Sequence, residues 1–435
     1  MKNIKVGVVG YGTVGKGTIQ ILKDNADIIK KNCGFNIEVK AIADRNIDKK
    51  IDAYVANIPV RVKDPYVLLN DKEIDVIVEL IGGLSDAKKI VLDAIKRGKH
   101  VVTANKSLLA AYGYDIFREA ENSNVLLGFE ASVGGGIPII RVLKEDMCIN
   151  DIRQIYAIVN GTANYILTRM ESDNKEFNEV LIDAQRQGYA EADPSFDVDG
   201  IDSAHKIAII ASLAFGTLIP FKCVYYEGIS NIKRLDIDMA AELNGKIKLL
   251  AIAKKNDRDI EVRVHPTIIP NRYFLADVED VYNAIYIRTS KIDRTMHYGR
   301  GAGGLPTGSA VISDIVSIGK DINSCCKRRV PVIGFEKPYG KGQVVKDIND
   351  VVTPFYLRLT VNDRPNVLSK IAGILGEHGI SILSAIQRAE WLKNDVISLI
   401  LMTHQTAGRN IFNAVGEIDC LDIVKDKTLI IRVEK

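Results

Sequence analysis

From Gly188 to Lys206 the chain reads GYAEADPSFDVDGIDSAHK, which sets Glu191, Asp193, Asp197, Asp199 and Asp202 ahead of a lysine. Carboxylates this dense repel one another unless something cationic sits among them. Asp202 and Lys206 are four apart, so a helix beginning near Ile201 presents both on one face. The run Ile207, Ala208, Ile209, Ile210, Ala211 that follows marks this helix as buried. An ammonium beside apolar surface tends toward a lowered pKa, which suits it to proton transfer. The plain alternative is an exposed ion pair worth roughly a few tenths of a kcal/mol. A calcium loop starting at Ser195 is excluded, because its twelfth place needs a bidentate Glu and holds Lys206.

A second cluster lies near the start. Ile4 to Val9 reads as a strand that ends in Gly10-Tyr11-Gly12-Thr13-Val14-Gly15, and Lys16 to Lys23 reads as a helix. A GxGxxG that closes a strand and opens a helix is a dinucleotide signature. Gly10 makes the turn, Gly12 admits a pyrophosphate to the backbone, and Gly15 lets the helix pack closely, with the helix N-terminus facing the negative charge. The next strand, Ile37 to Ala43, ends at Asp44-Arg45, where such folds read the adenosine ribose. Asp44 would accept from a 2′-hydroxyl and favour NAD, whereas Arg45 would pair with a 2′-phosphate and favour NADP; the balance leans slightly to NADP. Further strands are expected at Ile74 to Ile81, His100 to Thr103 and Val125 to Phe129, with a helix at Ala87 to Arg97. Just past the fourth strand, Lys106 falls where side chains lie beside a bound cofactor. Past the fifth, Glu130 to Pro138 (EASVGGGIP) combines a carboxylate with three glycines whose carbonyls can turn inward, so a cation could sit there; a domain crossover explains the turn equally well.

With 435 residues, 47% apolar and 26% charged, the composition is that of an ordinary globular protein of about three domains. A net charge of +3 without long basic runs argues against nucleic acid as a partner. The six cysteines are scattered without CxxC spacing, so neither a disulfide framework nor structural zinc is expected. The N-terminus enters a strand at once, and no uncharged run is long enough to span a bilayer, so a soluble cytoplasmic protein without a membrane partner is expected.

The regular strand–helix alternation ends near Ile139. A mixed α+β region follows, with strands at Gln154 to Val159, Val262 to Ile269 and Ala284 to Thr289. The polar turn Asn160 to Asn164 precedes a helix at Tyr165 to Met170, and the glycine loop Tyr298 to Thr307 precedes a helix at Ala310 to Gly319 that could pack back on the first domain. Arg328 to Thr353 reads as a linker. Beyond it the order strand (Phe355 to Val361), helix (Pro365 to His378), strand (Ile380 to Arg388), strand (Asp395 to His404), helix (Arg409 to Ile418), strand (Thr428 to Val433) predicts a ferredoxin-like module. The expected fold is thus α/β. A Rossmann-type parallel sheet over 1–137, completed by about 305–327, is followed by an α+β substrate and dimerisation domain over 138–304, a linker over 328–352, and a βαββαβ module over 353–435.

Taken together, the glycine loop, VTANKSLLA, EASVGGGIPI, NGTANYIL, GYAEADPSFDVDGIDSAHK and YGRGAGGLPTGSA, all in order, resemble homoserine dehydrogenase from Ile4 to about Arg328. The segment FYLRLTVNDRPNVLSKIAGILGEHGISI resembles an ACT domain, and with no kinase domain ahead of Met1 the resemblance is to the single-function form. It implies interconversion of L-aspartate 4-semialdehyde and L-homoserine with NAD(P)H, on the route to threonine, methionine and isoleucine. By motif, Lys206 would be the proton donor and acceptor, with Asp202 beside it and Lys106 between nicotinamide and substrate. Glu191 would hold the substrate's amino group, and Asp197 and Thr162 would belong to the same polar site. Gly188 and Gly303 would touch cofactor or substrate. A monovalent cation, sodium in the family, maps onto Glu130, Val133, Gly135 and Ile137. An amino-acid effector such as threonine would act at the ACT domain, and a homodimer or homotetramer is expected.

Two other readings compete. A semialdehyde dehydrogenase needs a cysteine nucleophile, and Cys148 stands in no glycine-rich strand-to-helix turn. A non-catalytic sensor of nucleotide and amino acid would not need both Lys106 and Lys206.

Overall fold

The computed structural model describes residues 2–325, 329–335 and 344–434. Residues 328 and 336–343 of the expected linker lie outside the described residues. Two compact units form: Met1–Ile155 with His205–Cys223 and Tyr282–Gly342, and Tyr156–Ala204 with Val224–Val281 and Gln343–Lys435.

In the first unit, β1 (Ile4–Val9), β2 (Ile37–Ala43), β3 (Val60–Val62), β4 (Val76–Glu79), β5 (His100–Thr103) and β6 (Leu127–Gly128) form a parallel sheet in the order β3-β2-β1-β4-β5-β6. That order reverses at β1, and in such sheets ligands bind at the carboxyl ends of the strands flanking the switch. Short β-branched runs form these strands because both faces are covered: Val6, Val8, Ile42, Val76, Val78 and Val102 are all fully buried. Helix Thr13–Asp24 follows β1 directly, starting three residues before the expected Lys16. Strand β4 is shorter than expected, since Gly82 and Gly83 both adopt left-handed φ just beyond it. Helix Gly304–Asn323 packs along Thr13–Asp24; a Cβ on Gly17 would lie 2.2 Å from the Gly304 carbonyl oxygen, so only glycine allows that approach. Strands Tyr282–Thr289 and Arg294–Arg300 add an antiparallel hairpin.

The second unit is built on one continuous sheet. Gly245–Lys255 and Asp259–Pro270 pair antiparallel, and Val424–Val433 continues the sheet by pairing parallel with the second of them at Thr267 and Ile268. Phe355–Asn362, Val396–Thr403 and Ile382–Gln387 continue it in that order, and the short strands Tyr225–Tyr226 and Val344–Val345 pair with Asp259–Pro270. The last four strands have the antiparallel ferredoxin-like arrangement, with helices Val367–Glu377 and Gly408–Ile418 burying Ile371, Leu375, Ile411 and Ile418 against it. Among the described residues, no helix is long and apolar enough to cross a membrane.

Candidate active site

The nucleotide signature of the first unit has the geometry its glycines require. Gly10 sits at φ 105°, where a Cβ would lie 2.6 Å from the Leu80 carbonyl oxygen, and a Cβ on Gly15 would lie 2.2 Å from the Gly10 carbonyl oxygen. Gly12 is the N-cap of the helix that begins with Thr13 and Val14, and it brings no side chain to the helix amides. Those amides are thereby left for an anion. At the end of β2, Asp44 Oδ2 accepts from the Tyr11 amide (2.8 Å) and from Lys50 Nζ (2.8 Å), and Oδ1 accepts from the Asn46 amide (2.8 Å). Burial alone would raise this carboxyl, but Lys50 and the two amides hold it below its ordinary range. Arg45 points outward, its side chain 83% exposed and paired with Asp86.

Lys106 opens helix Lys106–Asn122, one residue after the N-cap Asn105. The Asn105 side chain accepts from the Leu108 amide (3.0 Å) and donates to the Gly83 carbonyl (2.7 Å), tying the loop after β5 to the loop after β4. Beneath them Thr103 donates to Glu79 (2.7 Å), a fully buried carboxyl raised by burial. The sequence reading passed over Glu79, although an acid after the apolar run Val76-Ile77-Val78 was the available signal. Lys206, 8% exposed, lies on helix Ile201–Phe215, whose Ile207, Ala208, Ile210 and Ala211 are buried, as the apolar run predicts. Next to the two lysines in sequence, Ser107 Oγ and His205 Nδ1 approach to 3.4 Å, bringing the starts of these helices together.

In the glycine turn, Glu130 is buried and works as a helix anchor. Its Oε1 accepts from the amides of Ile139 (2.6 Å) and Ile140 (2.7 Å), and its Oε2 from that of Arg141 (2.9 Å). One lone pair of Oε2 remains, and Gly134 and Gly135 at φ 74° and 55° curl the chain through Val133 to Ile137. A carboxylate joined by peptide carbonyls would be an all-oxygen set, which suits a hard monovalent cation better than a transition metal. The Glu130 amide in turn donates to Asp314 (2.8 Å), whose carboxyl is raised to about 7, chiefly by burial and then by Glu130.

In the second unit the acidic stretch is organised by Asn160, the N-cap of helix Gly161–Ser172. Its Oδ1 accepts from the Ala163 amide (2.8 Å), while its Nδ2 donates to Asp197 Oδ1 (2.7 Å) and to Asp202 Oδ2 (2.8 Å). Asp202 is 3% exposed. The other three carboxylates separate from this pair: Asp193 accepts from the Ser195 hydroxyl (2.6 Å), and Glu191 and Asp199 are exposed. Thr162 donates to the Tyr189 carbonyl (2.7 Å) and the Tyr165 and Tyr189 rings lie 4.9 Å apart, which fixes the loop at Gly188, itself at φ 76°. Gly303, at φ 120°, caps helix Gly304–Asn323 in the first unit. The sequence reading gave Asn160 no role beyond a polar turn, although an Asn-Gly at a strand-to-helix junction is an N-cap signal. Cys148 is exposed, with its thiol donating to the Glu145 carbonyl (3.0 Å).

Residues 138–316 match the family Homoserine dehydrogenase, residues 10–130 match Homoserine dehydrogenase, NAD binding domain, and residues 355–418 match the ACT domain. The homoserine dehydrogenase of Neisseria gonorrhoeae is 42% identical over 434 residues, covering 100% of this chain and 99% of that protein. The chain belongs to the homoserine dehydrogenase family. The homoserine dehydrogenase of Pseudomonas aeruginosa is 41% identical over 435 residues, covering all of both chains. The crystal structure of a homoserine dehydrogenase from Thiobacillus denitrificans superposes with a TM-score of 0.93 at 43% identity, covering 100% of this chain and 99% of that one. A hyperthermophilic archaeal homoserine dehydrogenase mutant in complex with NADPH superposes with a TM-score of 0.62 at 26% identity, covering 73% of this chain and 98% of that one. The family match accounts for both lysine motifs and for the nucleotide fold, so the chain is read as an NAD(P)-binding oxidoreductase carrying an ACT domain, and the sensor and cysteine-dependent readings are set aside.

Proposed function

We propose that Lys206 is the acid and base in the interconversion of L-aspartate 4-semialdehyde and L-homoserine, assisted by Lys106, with Asp197, Asp202, Glu191 and Thr162 forming the polar site for the rest of the substrate. The observation that carries this reading is the Asn160 clamp: it orders two carboxylates, one of which stands a single helical turn before the buried Lys206. Bound NAD(P)H supplies the hydride. As the aldehyde carbon accepts it, the carbonyl oxygen gains negative charge, and the Lys206 ammonium stabilises that oxygen and gives it a proton. In the reverse direction the neutral amine takes the hydroxyl proton back. Held in place by Asn160, the carboxylates favour the cationic α-amino group, and Lys106 adds positive charge beside the reacting carbonyl.

Gly10, Gly12, Thr13, Val14 and Gly15 would hold the pyrophosphate, with Gly188 and Gly303 touching cofactor or substrate. NADP is the favoured nucleotide in this reading. Asp44 is already occupied by Tyr11, Asn46 and Lys50, whereas the exposed Arg45–Asp86 pair is a weak surface interaction that a 2′-phosphate would displace. The archaeal relative was solved with NADPH bound, which agrees with this reading. Arg45→Ala should raise the KM for NADP about tenfold and leave that for NAD unchanged, as steady-state kinetics with both nucleotides would reveal. Glu130, Val133, Gly135 and Ile137 would hold a monovalent cation, sodium by the family's chemistry, and the ACT domain would bind an amino acid such as threonine in a cytoplasmic homodimer or homotetramer.

The deciding experiment is Lys206→Ala. Homoserine oxidation should disappear while NADP affinity, measured by fluorescence titration, stays the same; near-normal turnover would reject Lys206 as the acid.

A further inference from the structure

Asn283, on strand Tyr282–Thr289 of the first unit, is 1% exposed, and among the described residues neither its Nδ2 nor its Oδ1 has a hydrogen-bond partner. A carboxamide brings two donors and two acceptor lone pairs. Leaving them unmet at this depth costs stability that an apolar side chain of the same size would not. The surrounding backbone nevertheless makes room for it. Asn283 lies opposite Gly299 in the hairpin, and a Cβ on Gly301 would stand 1.9 Å from Asn283 Nδ2 and 2.7 Å from its Oδ1. Glycine at 301 is what lets the carboxamide lie directly on the loop that follows the hairpin.

That loop, residues 301–303, makes close backbone contacts at both ends. The Gly136 amide donates to the Arg300 carbonyl (3.0 Å), and a Cβ on Gly135 would lie 2.4 Å from the Gly301 carbonyl oxygen. At the far end, a Cβ on Gly304 would lie 2.9 Å from the carbonyl oxygen of Thr13, the first residue of the helix whose amides are left for an anion. A displacement of the loop is thus passed to the phosphate end of helix Thr13–Asp24. Gly301 is buried, whereas Ala302 and Gly303 are exposed, so the loop turns its outer backbone to an incoming ligand.

We propose that Asn283 is a positioning residue for the nucleotide: its carboxamide hydrogen-bonds the backbone of the 301–303 loop when nucleotide is bound, and the loop so fixed holds the start of helix Thr13–Asp24 in register for the pyrophosphate. The inference rests on the reading of the Gly10 to Gly15 turn as the nucleotide site, and it gives that site a supporting residue on a strand outside the parallel sheet. Asn283 touches no reacting group and acts through Gly301. An orphaned carboxamide aimed at a loop, with a glycine beneath it to allow the approach, points to a bond made in the loaded state. Forming that bond offsets the cost of burial, and because it forms only with nucleotide present it adds to nucleotide affinity.

The test measures NADP affinity by fluorescence titration, thermal unfolding, and steady-state homoserine oxidation, all on the full chain. Asn283→Leu, close in size and without polar atoms, should unfold at the same temperature as the unmodified chain or higher. It should nevertheless bind NADP about fivefold or more weakly, the worth of one hydrogen bond, and show the loss in the NADP KM rather than in kcat. Gly301→Ala should weaken NADP about tenfold, because its methyl meets the carboxamide, and the double variant with Asn283→Ala should bind no more weakly than Gly301→Ala alone. Unchanged NADP affinity in Asn283→Leu, affinity that falls only in step with the unfolding temperature, or a double variant in which the losses of Gly301→Ala and Asn283→Ala multiply overturns the proposal. Failure of the nucleotide reading itself shows differently: the unmodified chain would then bind neither NADP nor NAD, and both would fall.

Discussion

Asn160 spends one carboxamide on three partners: the Ala163 amide, Asp197 and Asp202. An asparagine is the residue that can do all three, since its oxygen caps a helix while its NH2 carries two donors. Replacement by Ala leaves two neighbouring carboxylates without the donor that separates them. Hydrogen bonds to charged groups contribute about 1.5–3 kcal/mol each. Asn160→Ala should therefore raise the homoserine KM at least about tenfold, and Asn160→Asp should be worse, because it adds a third negative charge. Nucleotide KM should not move in either variant. A proportional change in both Michaelis constants would mean that Asn160 supports the fold rather than the substrate site. The carboxylates themselves were legible from composition, but their sorting was not. Five acids in one stretch look equivalent until the chain shows that Asp193 turns to Ser195 and only Asp197 and Asp202 share a donor.

The elements most easily read are those whose environment is uniform. Strands β1, β2 and β5 have the expected bounds; β1 and β5 are buried nearly throughout, as a parallel strand covered on both faces is, while β2 is buried only at its end, Ala41 to Ala43. Helix Gly304–Asn323 starts six residues before the expected Ala310, since GLPTGS reads as a loop by local preference. There the tertiary contact decides: Gly304 and Gly308 are small so that the helix can press on Gly17 and Thr18. Strand Gly245–Lys255 escaped notice for the opposite reason, as KIKLLAIAKK has no clean period of two and carries Lys248, which is buried. Lys248 donates to the Val278 carbonyl at 2.7 Å, and burial lowers it to about 8. The glycine loop before helix Thr13–Asp24 gives the prediction proper to this scale. Gly15→Ala would place a methyl 2.2 Å from the Gly10 carbonyl oxygen, forcing the turn and the helix start apart. NADP affinity should fall by about tenfold or more, equivalent to losing about 1.4 kcal/mol of phosphate contact. Calorimetric titration would measure it, and unchanged affinity would show that the loop does not cradle the pyrophosphate.

Within the second unit, the ACT domain and strands Gly245–Lys255 and Asp259–Pro270 share one sheet, and buried charge fastens the junction. Glu434, after the last strand, accepts from Arg263 Nη2 (2.8 Å), Lys254 Nζ (2.9 Å) and the Tyr156 hydroxyl (3.0 Å). Asp236, fully buried, accepts from Arg358 Nε (2.8 Å) and the Tyr356 hydroxyl (2.8 Å). Such pairs add little when compared with apolar replacements, but removing one member strands its partners, at a cost of about 3–5 kcal/mol. Glu434→Gln keeps the shape and removes the charge, taking that carboxylate from Lys254 and leaving Arg263 with Glu261 (3.3 Å). Burial alone would raise the Glu434 carboxyl, yet Arg263 and Lys254 outweigh burial and hold it below its ordinary value of 4.5. A carboxylate depressed in the folded state stabilises the fold above its unfolded pKa, and that contribution is lost as pH falls through the folded value. The unmodified chain should therefore be more stable than Glu434→Gln by several kcal/mol at about pH 7, with the gap narrowing as pH drops below 4.5. Urea unfolding of both proteins at about pH 7 and about pH 3 measures this directly. A gap independent of pH would mean that the Glu434 charge does not fasten the ACT domain to the sheet, and the junction would then rest on the Asp236 contacts and the backbone pairing at Thr267 and Ile268.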